Sequence, residues 1–215
     1  RARRAMAGLV IVLLLAGVPA PRGAPPVLFT VTTTADAPDA VPGDGLCATA
    51  AATCTLRAAL AEAATIALGA EITVPAGHYV VAAPLEVAAG AVTIRGASRA
   101  TTVLDADEQG RVFDVGGGAA LVLADLTVTN GSTTEEGGAI RAFDAALTLD
   151  DVAVSTSATD GYGGGVFTAG STVTILGSSF EQDTALEGGA VAVMGGNLTI
   201  ADSTFTGCLA TDAGG

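Results

Sequence analysis

Gly137-Gly138-Ala139-Ile140, Gly164-Gly165-Val166 and Gly188-Gly189-Ala190-Val191 set the fold. Each glycine run leads into a β-branched residue, at 140, 166 and 191, spaced by 26 and 25 positions. Apolar residues on either side keep the same step. Leu123, Leu149, Ile175 and Ile200 are 26, 26 and 25 apart, and so are Val128, Val154, Phe180 and Phe205. Self-similarity at a fixed period of this size is the mark of a repeat architecture, in which a coil that cannot bury its own apolar side chains stacks on the next. The repeat holds about three short extended segments, for example 139 to 142, 147 to 149 and 152 to 154, separated by turns containing Gly or Asp. Stacked at the strand spacing of about 4.8 Å, equivalent residues lie above one another and strands pair in parallel.

The reading is therefore all-β, a right-handed parallel β-helix. Val128, Val154, Phe180 and Phe205 form one inward core stack, and Gly138, Gly165 and Gly189 form the repeat corner where a Cβ would crowd the next coil. A leucine-rich repeat would need a helical segment and an Asn in each unit, and a propeller blade would need a period of about 40 residues. Composition agrees with many tight turns and a small-residue core: 29 glycines, half of the chain hydrophobic, only 4% aromatic and no Trp.

An open β-helix end exposes strand edges and apolar core, so it needs a cap. In Thr55 to Thr65, Leu56, Ala59, Leu60 and Ala63 fall on one face at helical spacing, and Thr55 is placed to cap the start. A helix over 55 to 67 is expected as the N-terminal cap, after a strand over Leu28 to Thr33 and a turn-rich segment from Asp36 to Gly45.

The first residues read as a secretory signal over 1–20. Arg1, Arg3 and Arg4 precede the ten-residue apolar run Leu9 to Val18, and Val18-Pro19-Ala20 offers a cleavage site. The run is shorter than the roughly 20 apolar residues of a transmembrane helix. Residues 21–70 then form the cap and 71–215 the coils. Gly214-Gly215 falls at the position of the next glycine pair, so further coils are expected to follow.

Export would place the cysteines in an oxidising compartment. Cys47 and Cys54, separated by a short loop of small residues, are compatible with a local disulfide; a free thiol or a metal site is less well supported, since no His or second Cys pair is nearby. Cys208 reads as a buried small residue in a turn, with pairing to a cysteine beyond Gly215 as the alternative.

Charge excludes one class of partner. Nine Arg and no Lys stand against 22 acids, a net charge of −13. Removal of residues 1–20 takes away three Arg, and −13 − 3 gives −16. Nucleic-acid binding, which needs clustered cations against phosphates, is not expected.

Three stretches carry a resemblance: Phe29 to Asp36, Pro42-Gly43-Asp44-Gly45-Leu46-Cys47, and Cys54 to Ala63, which opens Cys54-Thr55-Leu56-Arg57-Ala58-Ala59. They resemble the CSLREA domain found at the N-terminus of exported bacterial β-helix proteins, with Thr55 for Ser and Ala58 for Glu. Val74-Pro75-Ala76-Gly77-His78-Tyr79, Val92 to Gly96 and Arg111 to Val115 resemble the first coils of such proteins, and the glycine repeats are similar to those of polymorphic outer-membrane proteins. The resemblance implies a pectin-lyase-like solenoid and a secreted, cell-surface or outer-membrane location. It transfers no catalytic residue.

Some β-helix proteins cleave acidic polysaccharides with carboxylates and a basic group. Asp105, Asp107, Asp125, Asp150, Asp151 and Arg141 are the residues available for that chemistry. Asp125 and Asp151 are 26 apart, but Gly177 interrupts the series before Asp202, and Asp is a common turn residue. His78, the sole His, reads as an exposed turn residue. No catalytic, cofactor-binding or metal-binding residue is assigned, and no cofactor is expected. The expected function is an exported non-enzymatic scaffold for surface display, adhesion, or binding of extracellular glycans or surface proteins. The alternatives are a polysaccharide lyase or glycoside hydrolase, and a passenger of an outer-membrane transporter.

Overall fold

Alternation of apolar and small polar residues in short runs, broken by residues that accept a left-handed backbone, produces a chain that turns every few residues and stacks on itself. The computed structural model describes residues 25–67 and 69–214. The signal-like stretch 1–20 lies outside the described residues. Along the chain, β1 (Val27–Thr30) leads through the cap loop to α1 (Leu56–Ala63), β2 (Ala70–Val74), β3 (Gly77–Val80), β4 (Leu85–Val87), β5 (Ala91–Gly96), β6 (Thr102–Asp105) and β7 (Phe113–Val115). The more regular coils hold β8 (Ala120–Thr129), β9 (Ser132–Thr133), β10 (Ile140–Phe143), β11 (Ala146–Ser155), β12 (Ala158–Thr159) and β13 (Val166–Leu176). The last described elements are β14 (Ser179–Glu181), β15 (Thr184–Glu187), β16 (Val191–Ala201), β17 (Thr204–Thr206) and β18 (Leu209–Ala213).

All named strand pairs are parallel, and the whole is a parallel β-solenoid of about five turns. Residues one coil apart share a rung. Phe29, Ile72, Ile94, Leu123, Leu149, Ile175 and Ile200 form one column through seven strands. Tyr79, Leu104, Val128, Val154, Phe180 and Phe205 form another, ending in two stacked rings with centroids 4.9 Å apart. Leu85, Phe113, Ile140, Val166 and Val191 form a third. Each large apolar side chain buried in these columns contributes roughly 1.5–3 kcal/mol relative to exposure, whereas the end members Ile200 and Phe205 are 42% and 44% exposed.

The corners follow from backbone conformation. Asp125, Asp151, Gly177 and Asp202 all adopt left-handed φ of 53° to 56°, at equivalent places in successive coils. Gly177 thus continues the aspartate series rather than interrupting it, because the position selects residues that tolerate this conformation.

The glycine corner needs one correction. Gly138, Gly164 and Gly189 share a column, and a Cβ on any of them would strike the carbonyl oxygen of Gly164, Gly189 or Leu209 respectively. Gly165 stands one place further on, between Ala139 and Ala190, where its N–H donates to Ala190 O at 3.0 Å. The register is fixed by the pairing of Ile140 with Val166 and Val191, and a run of three glycines at 163–165 conceals the offset.

At the N-terminal side, α1 is capped by Thr55, whose Oγ1 accepts from Ala58 N–H at 3.0 Å. Leu56, Ala59, Leu60 and Ala63 join the core, and the helix packs against β1, β2 and β4. Cys47 and Cys54 form a disulfide with Cα atoms 5.0 Å apart. Arg57 grips both oxygens of Asp36, at 2.7 and 2.8 Å, and donates to the carbonyls of Ala83 and Pro84, which ties the cap to the first coil. The fully buried Glu62 accepts the N–H groups of Gly43 and Gly45 at 2.7 and 2.8 Å. No helix among the described residues is long and apolar enough to cross a membrane.

Candidate functional site

Each regular coil carries a fourth extended segment beyond the three that the sequence indicates. β9, β12, β15 and β18 form a separate four-stranded parallel sheet. Ser132, Ala158, Thr184 and Leu209 share one column of it. Their neighbours Thr159 and Ala185 are buried. By strand alternation the column at Ser132, Ala158 and Thr184 faces outward.

A groove of about 680 Å³ lies over this sheet, lined by Gln109, Gly110, Ser132, Thr133, Thr134, Ala158, Thr159, Asp160, Thr184, Ala185, Leu186 and Thr211. It draws on the β6–β7 loop and on four successive coils, so it runs along the solenoid axis. Some of its polar groups are used by the fold: Thr133 Oγ1 accepts from Glu135 N–H at 3.2 Å, and Thr159 Oγ1 donates to Glu135 O and accepts from Gly161 N–H. Among the described residues, the side chains of Ser132, Thr134, Asp160 and Thr184 make no hydrogen bond within the chain. They are donors and acceptors held on paired strands and their adjoining turns.

The acidic residues singled out in the sequence lie in separate places. Asp105 lies 2.7 Å from His78 Nε2 and accepts from Asn130 Nδ2 at 2.9 Å and Asp107 N–H at 2.8 Å. Burial pushes the Asp105 carboxyl up, but these hydrogen bonds outweigh it and hold it below the usual carboxylate range. His78 sits on β3 rather than in a turn, with its side chain mostly exposed, because Gly77 to Val80 pair with Thr102 to Asp105. Asp125 pairs with Arg95, and Asp151 with Arg99 at 3.4 Å. Asp150 stands exposed beside its corner.

Arg141 belongs to a different cluster. It donates to Asp114 and to Glu135, and the buried Arg111 reaches the same Glu135 carboxylate at 3.1 Å. The Arg111 hydrogen bond and the two guanidinium charges hold Glu135 below the usual range. The Arg141 guanidinium also lies over the Phe143 ring, 5.4 Å from its centroid. None of these clusters brings together three potential metal ligands among the described residues.

One buried acid escaped the sequence reading as a titrating group. Asp183 is fully buried, and its Oδ1 accepts from Ser157 N–H at 3.0 Å. Burial pushes its carboxyl up to about 7, with the nearby Glu181 charge adding to the shift. Cys208 is partly buried, with Sγ 4.0 Å from Asp183 Oδ2. No family model, curated protein or solved structure matches the chain.

Proposed function

We propose that the chain is an exported, non-enzymatic display scaffold of the cell surface, and that the groove over the fourth sheet is its binding surface for glycans or proteins. The observation that carries this reading is the groove itself, in which the hydroxyls of Ser132, Thr134 and Thr184 and the carboxylate of Asp160 are not consumed by the fold. Three further features support it. The basic and apolar start of the sequence has the pattern of an export signal. The Cys47–Cys54 disulfide suits an oxidising compartment. A net charge of −13 without Lys favours a soluble, self-repelling surface over one that binds polyanions. The CSLREA-like stretches fit the same picture, with Arg57 and the disulfide securing the cap.

The test has two arms. Protease treatment of intact producing cells is expected to remove the protein while cytoplasmic markers survive, and purified protein is expected to bind intact cells less well after Thr184→Val. Retention inside the cytoplasm, or cell binding indifferent to every groove substitution, would contradict the proposal.

A further inference from the structure

We infer that the groove takes an uncharged, extended glycan lying parallel to the solenoid axis; this rests on the display-scaffold reading and narrows it to one ligand class. The charge of the lining selects against anionic ligands. Asp160 is the one acidic side chain in the lining, which holds no Arg, Lys or His. A carboxylated or sulfated polymer would meet a carboxylate with no Arg to offset it, on a chain whose net charge is −13. An uncharged chain of hydroxyl groups meets no such cost.

The polar groups of the lining are of a kind that suits sugars. Ser132, Thr134 and Thr184 are hydroxyls that both donate and accept, and Asp160 is a strong acceptor. This set matches sugar hydroxyls, which also do both. An extended peptide would bind such a sheet chiefly by main-chain pairing at an edge. Here the main chain is already committed, because β12 pairs with β9 on one side and β15 on the other.

The spacing of the rungs favours an extended ligand. Coils repeat at about 4.8 Å, so β9 to β18 span about 14 Å along the axis. Pyranose rings in an extended glycan repeat at close to the coil spacing, so successive sugars meet equivalent rungs. Ser132 and Thr184, two coils apart in one column, then address alternate residues of the ligand. Since the groove contains no aromatic side chain to stack on a sugar ring, binding of one short oligosaccharide is weak and gains by repetition along a polymer.

The experiment is affinity electrophoresis and calorimetric titration of the full chain. The probes are β-1,4-linked gluco- and manno-oligosaccharides, with oligogalacturonate as the charged comparison. Binding to at least one uncharged series is expected, with dissociation constants raised about fivefold or more by Thr184→Val and by Asp160→Asn while the melting transition stays in place. Absence of binding to both uncharged series, preference for oligogalacturonate, or affinities unchanged in both variants would overturn the inference. Undiminished attachment to cells by a protein that ignores these sugars would sink the glycan assignment alone and leave the display reading standing.

Discussion

Two buried polar side chains show how closely the columns are specified. Thr168 occupies the column of Val87, Val115, Ala142 and Val193, and its buried Oγ1 has no hydrogen-bond partner. A hydroxyl left unpaired in an apolar column costs about 1–2 kcal/mol, so Thr168→Val is expected to raise unfolding stability by about that amount in urea titration. Asp183 makes a pH-dependent statement. Its carboxyl is raised from 3.8 to about 7 in the folded chain. The neutral form is therefore favoured by folding, its contribution is full below about pH 4, and it is lost as pH rises through 7. Asp183→Asn keeps an oxygen for the Ser157 N–H and removes the charge. The variant should match the parent near pH 4 and exceed it by up to about 4 kcal/mol at pH 8, as measured by urea unfolding at both values. Equal pH profiles for the two proteins would contradict the burial of an ionisable group at this position.

Among the elements, the cap is tied to the first coil through one side chain, Arg57. Arg57 joins Asp36, on the cap loop, to the Ala83 and Pro84 carbonyls that precede β4. Arg57→Ala leaves the Asp36 carboxylate short of its partner and is expected to cost about 2–3 kcal/mol, and Arg57→Lys should recover little because one ammonium cannot replace the planar fork. Thermal unfolding of the three proteins measures this directly. The same comparison shows what a sequence makes visible. The helix, the disulfide and the three long columns were legible because their residues are strongly typed: helical spacing after Thr55, paired cysteines, and large apolar residues at a constant step. The fourth sheet was not, because its first two strands hold only two residues each, of Ser, Thr and Ala, and show no alternation of apolar and polar character. The shared step of Ser132, Ala158 and Thr184 was its only signal. The first coils were legible only through resemblance, because Ala70, Val92 and Leu121 share a column at steps of 22 and 29, which no single period matches. The groove, the most suggestive feature for function, thus lies on the least legible element.

For the molecule as a whole, the stacking of coils accounts for both the buried core and the repeating outer surfaces. Successive coils seal the apolar columns, and the same stacking lines up the outward side chains into repeating surfaces, one of which is the groove. The carboxylates that a sequence-based search for catalysis would gather are distributed among separate corners and ion pairs, because in a solenoid a short step along the chain can change the face on which a residue stands. Register is the central claim, and disulfide trapping measures it. With Cys208→Ser as background, Thr148→Cys combined with Thr174→Cys places the new thiols on directly paired positions of β11 and β13. Strand spacing puts those Cα atoms about 4.8 Å apart, within reach of a disulfide, whereas Thr148→Cys with Leu176→Cys separates them by about 8 Å. In a glutathione redox buffer the first pair should close and the second should stay open; closure of the second pair, or failure of the first in a folded protein, would contradict the stacked-coil structure.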